Sequence, residues 1–411
     1  MVGEGLKTVN RGDYILTQEG QQNLLFRRRL KRLYFQIKQE PKSKNSINEE
    51  EKKYFQQQVL QTLQDFKRRA YRSSVIMAID FHCNQNNPPA IHNLAKNYLD
   101  LLSIPLQNSN IKRKRLLYSD DSLIKILIVN YTLCSDSPSG ISIKIDRLKN
   151  FFEDVKLVDR IIHNDFEDSS YNSFDINEIE QENHDDFSDP YEKLEDLREG
   201  KDFFIKNIGR DSYNIMEDFA IQGIQKNYLQ IGNLSASGLM PLFAPFLNER
   251  IPSDISQAIL EITKNHRNMM ISPPLALDLR HTPIKNGQTK IFKSNVKTVL
   301  KKFTKQFPIL SPLKIPLGVI VLYVPPKTQR IDLDNLARYI IPFVNETIQP
   351  HMGFVNNTNS ITRYQFIELP RFDSDLDAGY VRLIFDSPFF PFLGSVWDKV
   401  DRVIDKWGDS V

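Results

Sequence analysis

The residues with the clearest chemical potential are Asp332, Leu333, Asp334 and Asn335, where a loop meets a predicted helix just beyond the apolar run PLGVIVLYV. Two carboxylates at i and i+2 entering a helix can turn toward one point and hold a hard cation through oxygen ligands, magnesium being the natural occupant. Such a cation stabilises charge on a phosphodiester and lowers the pKa of bound water, which is how metal nucleases attack phosphorus. The plainer alternative is that Asp334 caps the helix beginning near Asn335 while Asp332 stays solvated. The quartet alone does not choose, because a chain this rich in Asp and Asn produces a D-x-D-N readily by chance.

Basic residues are the second chemical signal. Arg27, Arg28, Arg29, Lys31 and Arg32 form one dense cluster, and Lys112, Arg113, Lys114 and Arg115 form another immediately before Asp120 and Asp121. Such residues supply most contacts to nucleic-acid phosphates and would make binding salt-dependent, although charge runs are also solvated faces. His82, Cys83 and Cys134 lack the paired ligand spacing of a zinc finger, and His92 reads as a neutral loop histidine, with a metal ligand as the sharper alternative.

The elements that must position these residues follow a repeated order. In the first half LYFQI reads as a strand, Glu49 to Phe66 as an amphipathic helix, SSVIMAIDF as a buried strand, Leu94 to Leu102 as a helix and SLIKILIVNYTL as another strand. In the second half ALDLR and TKIF suggest a hairpin, Ser294 to Phe307 a basic helix carrying Lys301 and Lys302, and PLGVIVLYV a buried strand. Leu333 to Thr347 then reads as a helix, and SITRYQFIE and GYVRLIF as closing strands. PPAIHNLAKNYLDLL and QRIDLDNLARYIIPFV occupy the same slot after the same buried strand, the mark of a diverged tandem repeat.

Between the halves lies an acidic stretch. From Asp165 to Arg198 thirteen acids face two bases, so this segment carries −11 of a net +3 and the remainder carries +14. Few apolar residues separate the acids, which predicts a mobile linker. Tyr213 to Leu229 and Ser253 to His266 read as helices of an insert, a spacer or lid by default and a partner-docking unit as the sharper alternative. The expected division is 1–160, an acidic linker with helical insert over 161–269, and 270–411 ending in a helix with the stripe Val396, Trp397, Val400, Val403, Ile404 and Trp407. That stripe packs on its own domain or forms a subunit interface.

Composition narrows the classes further. With 54 Lys and Arg against 51 Asp and Glu in 411 residues, a uniformly basic coat is excluded and any basic surface is local. Two cysteines build no disulfide framework and fit a reducing interior, so the cytoplasm is the expected location. No window approaches the roughly 18 apolar residues of a membrane span, and MVGEGLKTVN lacks the apolar core of a signal peptide, so no membrane partner is expected.

The second half resembles the RusA family of Holliday junction resolvases, through LDLRHTPIKNGQTKIF, the basic helix KSNVKTVLKKF, and VIVLYVPP leading to IDLDNLAR. The resemblance covers roughly residues 276–385 and implies an α/β (α+β) fold, with two mixed-sheet copies arranged as a pseudo-dimer. It makes Asp332 and Asp334 ligands of a catalytic Mg2+ or Mn2+, and puts Arg338 where the family has Lys. Arg contacts phosphate as a bidentate fork but is a poorer proton donor. The family's further Asp-Asp pair is replaced in GFVNNTNSI by Asn356 and Asn357, whereas the first half keeps that pair as Asp120 and Asp121. The first half retains Asn93 and the basic Lys96, yet Ala90 and His92 fall where the two acids belong. Each half keeps what the other has lost. Either Asp120 or Asp121 completes a composite site with Asp332 and Asp334, or both copies have decayed into a scaffold that binds branched DNA without cutting it. Protein partners would dock on the insert or the C-terminal helix, and an RNA-directed role stays open at this level.

Overall fold

The computed structural model describes residues 14, 17–84, 88–107, 111–134, 138–162, 190–231, 276–280, 282, 288–328, 330–348, 361–371, 377–387 and 393–409. In chain order the first half gives α1 (Gln18–Lys31), β1 (Leu33–Ile37), α2 (Glu49–Asp65), β2 (Val75–Cys83), α3 (Ile91–Ser103), β3 (Ile124–Leu133), β4 (Gly140–Arg147) and α4 (Leu148–Ile162). An insert of α5 (Pro190–Glu199), α6 (Lys201–Ile208) and α7 (Arg210–Ile231) follows. The second half contains β5 (Ala276–Arg280), α8 (Gln288–Gln306), β6 (Leu317–Val324), α9 (Leu333–Ile348), β7 (Ile361–Glu368), β8 (Tyr380–Asp386) and α10 (Val396–Asp409).

All eight strands join one mixed sheet in the order β1-β4-β2-β3-β7-β6-β8-β5. Strand β2 pairs parallel with β3 and antiparallel with β4, just as β6 pairs parallel with β7 and antiparallel with β8. The outer pairs β1·β4 and β5·β8 are both antiparallel. The halves meet in the middle, where β3 and β7 run antiparallel with Ile126 opposite Ile367 and Asn130 opposite Arg363.

Alternation along the strands divides the core into two layers, as a period of two requires. Val75, Met77, Ile79, Val319, Val321 and Tyr323 share one layer with apolar residues of α2, α3, α8 and α9. Ile76, Ala78, Ile320 and Leu322 share the other with α4 and α10. Helix α3 forms because Ile91, Leu94, Ala95, Tyr98, Leu99 and Leu102 fall on one face at helical spacing, and α9 repeats this with Leu333, Leu336, Ala337, Ile340, Ile341 and Val344. Fully burying such side chains stabilises by about 1.5–3 kcal/mol each. Helices α3 and α9 pack against each other across the seam between the halves.

Two expectations need correction. The segment TKIF is not a hairpin strand but the start of α8, because Phe292, Val296, Leu300 and Phe303 form one buried helical stripe. The C-terminal end of the predicted mobile linker is helix α5, whose Leu194 and Leu197 are buried, and α5 packs on α7. The basic run Arg27 to Lys31 lies within helix α1, capped by the Thr17 hydroxyl, which accepts from the Gly20 amide. The remaining linker, residues 165–189, and the expected helix Ser253 to His266 lie outside the described residues. Val396, Trp397, Val400, Val403 and Ile404 are buried within this chain, Trp397 lying edge-on to Phe151 at 5.4 Å.

Candidate metal centre

The sheet itself brings distant acids together. Because β3 runs antiparallel to β7 and β7 parallel to β6, the start of β3 and the end of β6 lie on the same edge of the sheet. Asp121 opens a single 3-10 turn, Asp121–Leu123, that feeds β3. Asp332 and Asp334 stand at the entrance of α9, in the loop-to-helix junction after β6. The Asp332 carbonyl accepts the first helical bond from the Leu336 amide at 3.0 Å, which sets Asp332 at the cap position. Ligand oxygens of Asp121, Asp332 and Asp334 all lie within 4.8 Å of one another.

The donor set suits a hard divalent cation, being three carboxylates with no sulfur or imidazole. Burial pushes the Asp332 carboxyl up to about 6, with Asp121, Asp334 and Asp120 adding repulsion and Lys96 opposing it. Asp121 is also raised, by burial first and then by Asp334. Crowded acids of this kind are what a bound cation relieves. Asp120 does not join the cluster. It caps the 3-10 turn, its Oδ1 accepting from the Ser122 amide at 2.9 Å, and that bonding holds its carboxyl below the usual range.

The cluster also contains a cation from the other half. Lys96 Nζ, on α3, lies 2.7 Å from Asp334 Oδ2 and 3.0 Å from Asp100 Oδ1. Burial works against its charge, but Asp334 and Asp100 outweigh burial and raise its pKa. Asp334 is only 3% exposed, and its Oδ1 accepts from the Asn335 amide at 2.7 Å. Beneath the cluster, buried Lys125 of β3 donates to Glu368 of β7 at 2.7 Å, with Arg330 3.6 Å from the same carboxylate. The sequence reading missed Lys125 and Glu368, although a lone Lys within SLIKILIV signals that a buried partner must exist.

The predicted phosphate-contacting residues are distributed unevenly. Arg28, Arg29 and Arg32 are committed to internal acids: Arg28 to Asp154 at 2.9 Å, Arg29 to Asp405 at 2.5 Å, and Arg32 to Asp154 at 3.3 Å and Asp401 at 3.1 Å. Arg32 is buried with its guanidinium 5.0 Å from the Trp397 ring centre. Their charges tie α1 to α4 and α10, while Arg27 and Lys31 remain exposed. Lys112, Lys114 and Arg115 are exposed and Arg113 half-buried, and the Arg115 charge reaches Asp120. Lys301 and Lys302 are exposed on α8.

Arg338 is exposed on α9, and its charge acts on His92, whose imidazole is pushed down to about 4 chiefly by burial and then by Arg338. Asn356 and Asn357 lie outside the described residues. The His82 Nδ1 and Cys134 Sγ atoms are 3.8 Å apart, yet neither residue joins a set of three potential metal ligands among the described residues. No described helix is long and apolar enough to cross a membrane. No protein-family model, curated protein or solved structure matches this chain.

Proposed function

We propose that the two halves are diverged RusA-like copies joined as a pseudo-dimer, and that the chain is a divalent-metal-dependent endonuclease acting on branched DNA. The observation that carries this reading is the convergence of Asp121 from one half with Asp332 and Asp334 from the other, within 4.8 Å. The matching strand pairings of the two halves support the repeat. Mg2+ or Mn2+ held by these carboxylates would supply charge stabilisation at a phosphodiester and an acidified water. Lys96 holds Asp334 toward the cluster, and adds a positive charge beside the scissile phosphate. Exposed Lys112, Lys114 and Arg115 steer the DNA backbone toward the acids, and Lys301 and Lys302 extend that attraction along α8. For protein partners the insert offers exposed Phe203, Ile215 and Phe219.

One observation favours a second reading, a scaffold that binds DNA and does not cut. The Lys96 ammonium already neutralises the most buried acid of the cluster. Cleavage of end-labelled four-way and flap DNA, with Mg2+ or Mn2+, separates the readings. Nicking by the wild type that disappears in Asp334→Asn and Asp121→Asn supports the endonuclease. Tight binding with no cut under either metal leaves the scaffold, and no binding to any branched DNA at low salt removes both.

A further inference from the structure

Helix α8 carries six lysines and no acid within Gln288–Gln306. Lys290, Lys293, Lys297, Lys301 and Lys305 follow one another at spacings of three or four residues, so they share one face of the helix. The buried stripe Phe292, Val296, Leu300 and Phe303 takes the opposite face. From Lys290 to Lys305 the row is about 22 Å long, at 1.5 Å per residue. Like charges at i and i+4 repel, so a face that met only water would gain from interspersed acids. Here Lys290, Lys301 and Lys305 are exposed and form no ion pair among the described residues, while Lys297 has one, with Glu346 at 3.5 Å.

Two contacts fix how this row stands to the acids. The Lys293 ammonium lies 5.0 Å from the Tyr339 ring centre, and that of Lys297 lies 4.8 Å from the Phe343 ring centre. Both partners advance by four residues, so α8 and α9 run parallel in one register. Asp334 is five residues before Tyr339 and Lys290 three before Lys293, which puts the two within about one turn of the same level along the paired helices. The row therefore starts level with the three-carboxylate cluster and leads away from it. It ends just before Phe307, which packs on Tyr228 of the insert helix α7 at 6.1 Å. A straight row of one sign, largely unmatched by protein acids, fits a partner with regularly spaced negative charge. A DNA strand offers one phosphate per about 3.4 Å of duplex axis, so the row spans about six base pairs. We infer that α8 is a rail for the phosphate backbone of one duplex arm, the arm that extends from the phosphodiester held at the acid cluster. This rests on the DNA-directed reading above and deepens it: the chain grips its substrate on one side of the cut.

The test uses the full chain and flap DNA, whose arms are not equivalent. Fluorescence anisotropy across a salt series compares the wild type with a triple variant carrying Lys290→Gln, Lys301→Gln and Lys305→Gln, and with another carrying Lys290→Arg, Lys301→Arg and Lys305→Arg. The glutamine triple should weaken binding roughly ten- to a hundredfold and lower the salt slope by about three, and the arginine triple should keep both. The thermal midpoint of the glutamine triple should not fall, since the three side chains are exposed and removing their charges relieves repulsion. Replacing backbone phosphates in turn by uncharged methylphosphonates should reveal one contiguous run of sensitive phosphates on one arm, absent in the glutamine triple. Unchanged affinity and slope in the glutamine triple, or an unaltered methylphosphonate pattern, overturns the rail and leaves DNA binding by other surfaces intact. No binding of any DNA by the wild type at low salt overturns the rail and the DNA-directed reading together. Binding of poly-glutamate in that case, lost in the glutamine triple, gives the row to an acidic protein instead.

Discussion

Replacing Lys96 by Met removes the one cation, among the described residues, held by an ion pair to the three-carboxylate cluster, while keeping an unbranched side chain of similar length. At an effective dielectric of about 20, two like charges some 4.8 Å apart repel by roughly 3–4 kcal/mol, so the cluster without a counter-charge is costly. Removing one partner of a buried ion pair typically costs about 3–5 kcal/mol. The Lys96 side chain is 23% exposed, so water screens part of the pair and the lower end, about 3 kcal/mol, is the expected loss. The thermal midpoint in EDTA should fall by several degrees. A divalent cation binding only the folded cluster returns this stability by mass action, about 2.7 kcal/mol at a hundredfold excess over its Kd. The assay is a thermal melt of wild type and Lys96→Met, in EDTA and in increasing Mg2+ or Mn2+. The variant should start lower and gain more with metal, and Asp334→Asn should gain little. A deficit in Lys96→Met that no concentration of either metal reduces would refute the argument that these three acids form a cation site.

Among the acids themselves, Asp121→Asn and Asp334→Asn should abolish nicking, whereas Asp120→Asn should retain it, since Asp120 serves as a cap; equal loss in all three would contradict the geometry. Lys125→Met should lower the thermal midpoint by the equivalent of about 3 kcal/mol, because buried Glu368 loses its hydrogen-bonded partner and keeps only the exposed Arg330 at 3.6 Å, and adding Glu368→Met should recover most of it; additive losses would show that the pair is not coupled. Burial pushes Asp386 up to about 7, the Ser387 amide and Arg363 pulling the other way. Its folded pKa lies above the ordinary carboxylate value, so its contribution is fully present below about pH 4 and is lost as pH rises through about 7. Asp386→Asn should therefore gain stability relative to wild type as pH rises from 4 to 8, read as the difference in melting midpoint, and a pH-independent difference would exclude this titration.

What could be read in the sequence follows from how each element is stabilised. Strands β2, β3 and β6 are largely buried on both faces, so they stand out as apolar runs, and α3 and α9 show unbroken helical periodicity. Strand β4 was missed because GISIKIDR alternates with polar residues between two other strands, and α4 because its apolar stripe runs up to the acidic segment. The short apolar pair in TKIF looked like a strand until the residues four and eight positions later joined it as a stripe. The arginines of α1 looked free because Asp154, Asp401 and Asp405, which hold them, lie more than a hundred residues away. Lys96 is legible as a basic residue of its motif, but its pairing with Asp334 is hidden for the same reason. Such pairings depend on tertiary geometry, which residue spacing does not encode.

The acids are different, because a rule of sheet geometry links them. Once β3 and β7 join antiparallel, the start of β3 must face the end of β6 along one edge, and a loop residue at each end comes within reach of the other. The cluster therefore exists only where the two halves share a sheet. The buried Lys125–Glu368 pair sits on that same β3–β7 seam and needs the same register, since a one-residue slip would turn one of the pair to the opposite face. Register and metal site are thus one constraint: whatever weakens the β3–β7 join must loosen the acids together with it.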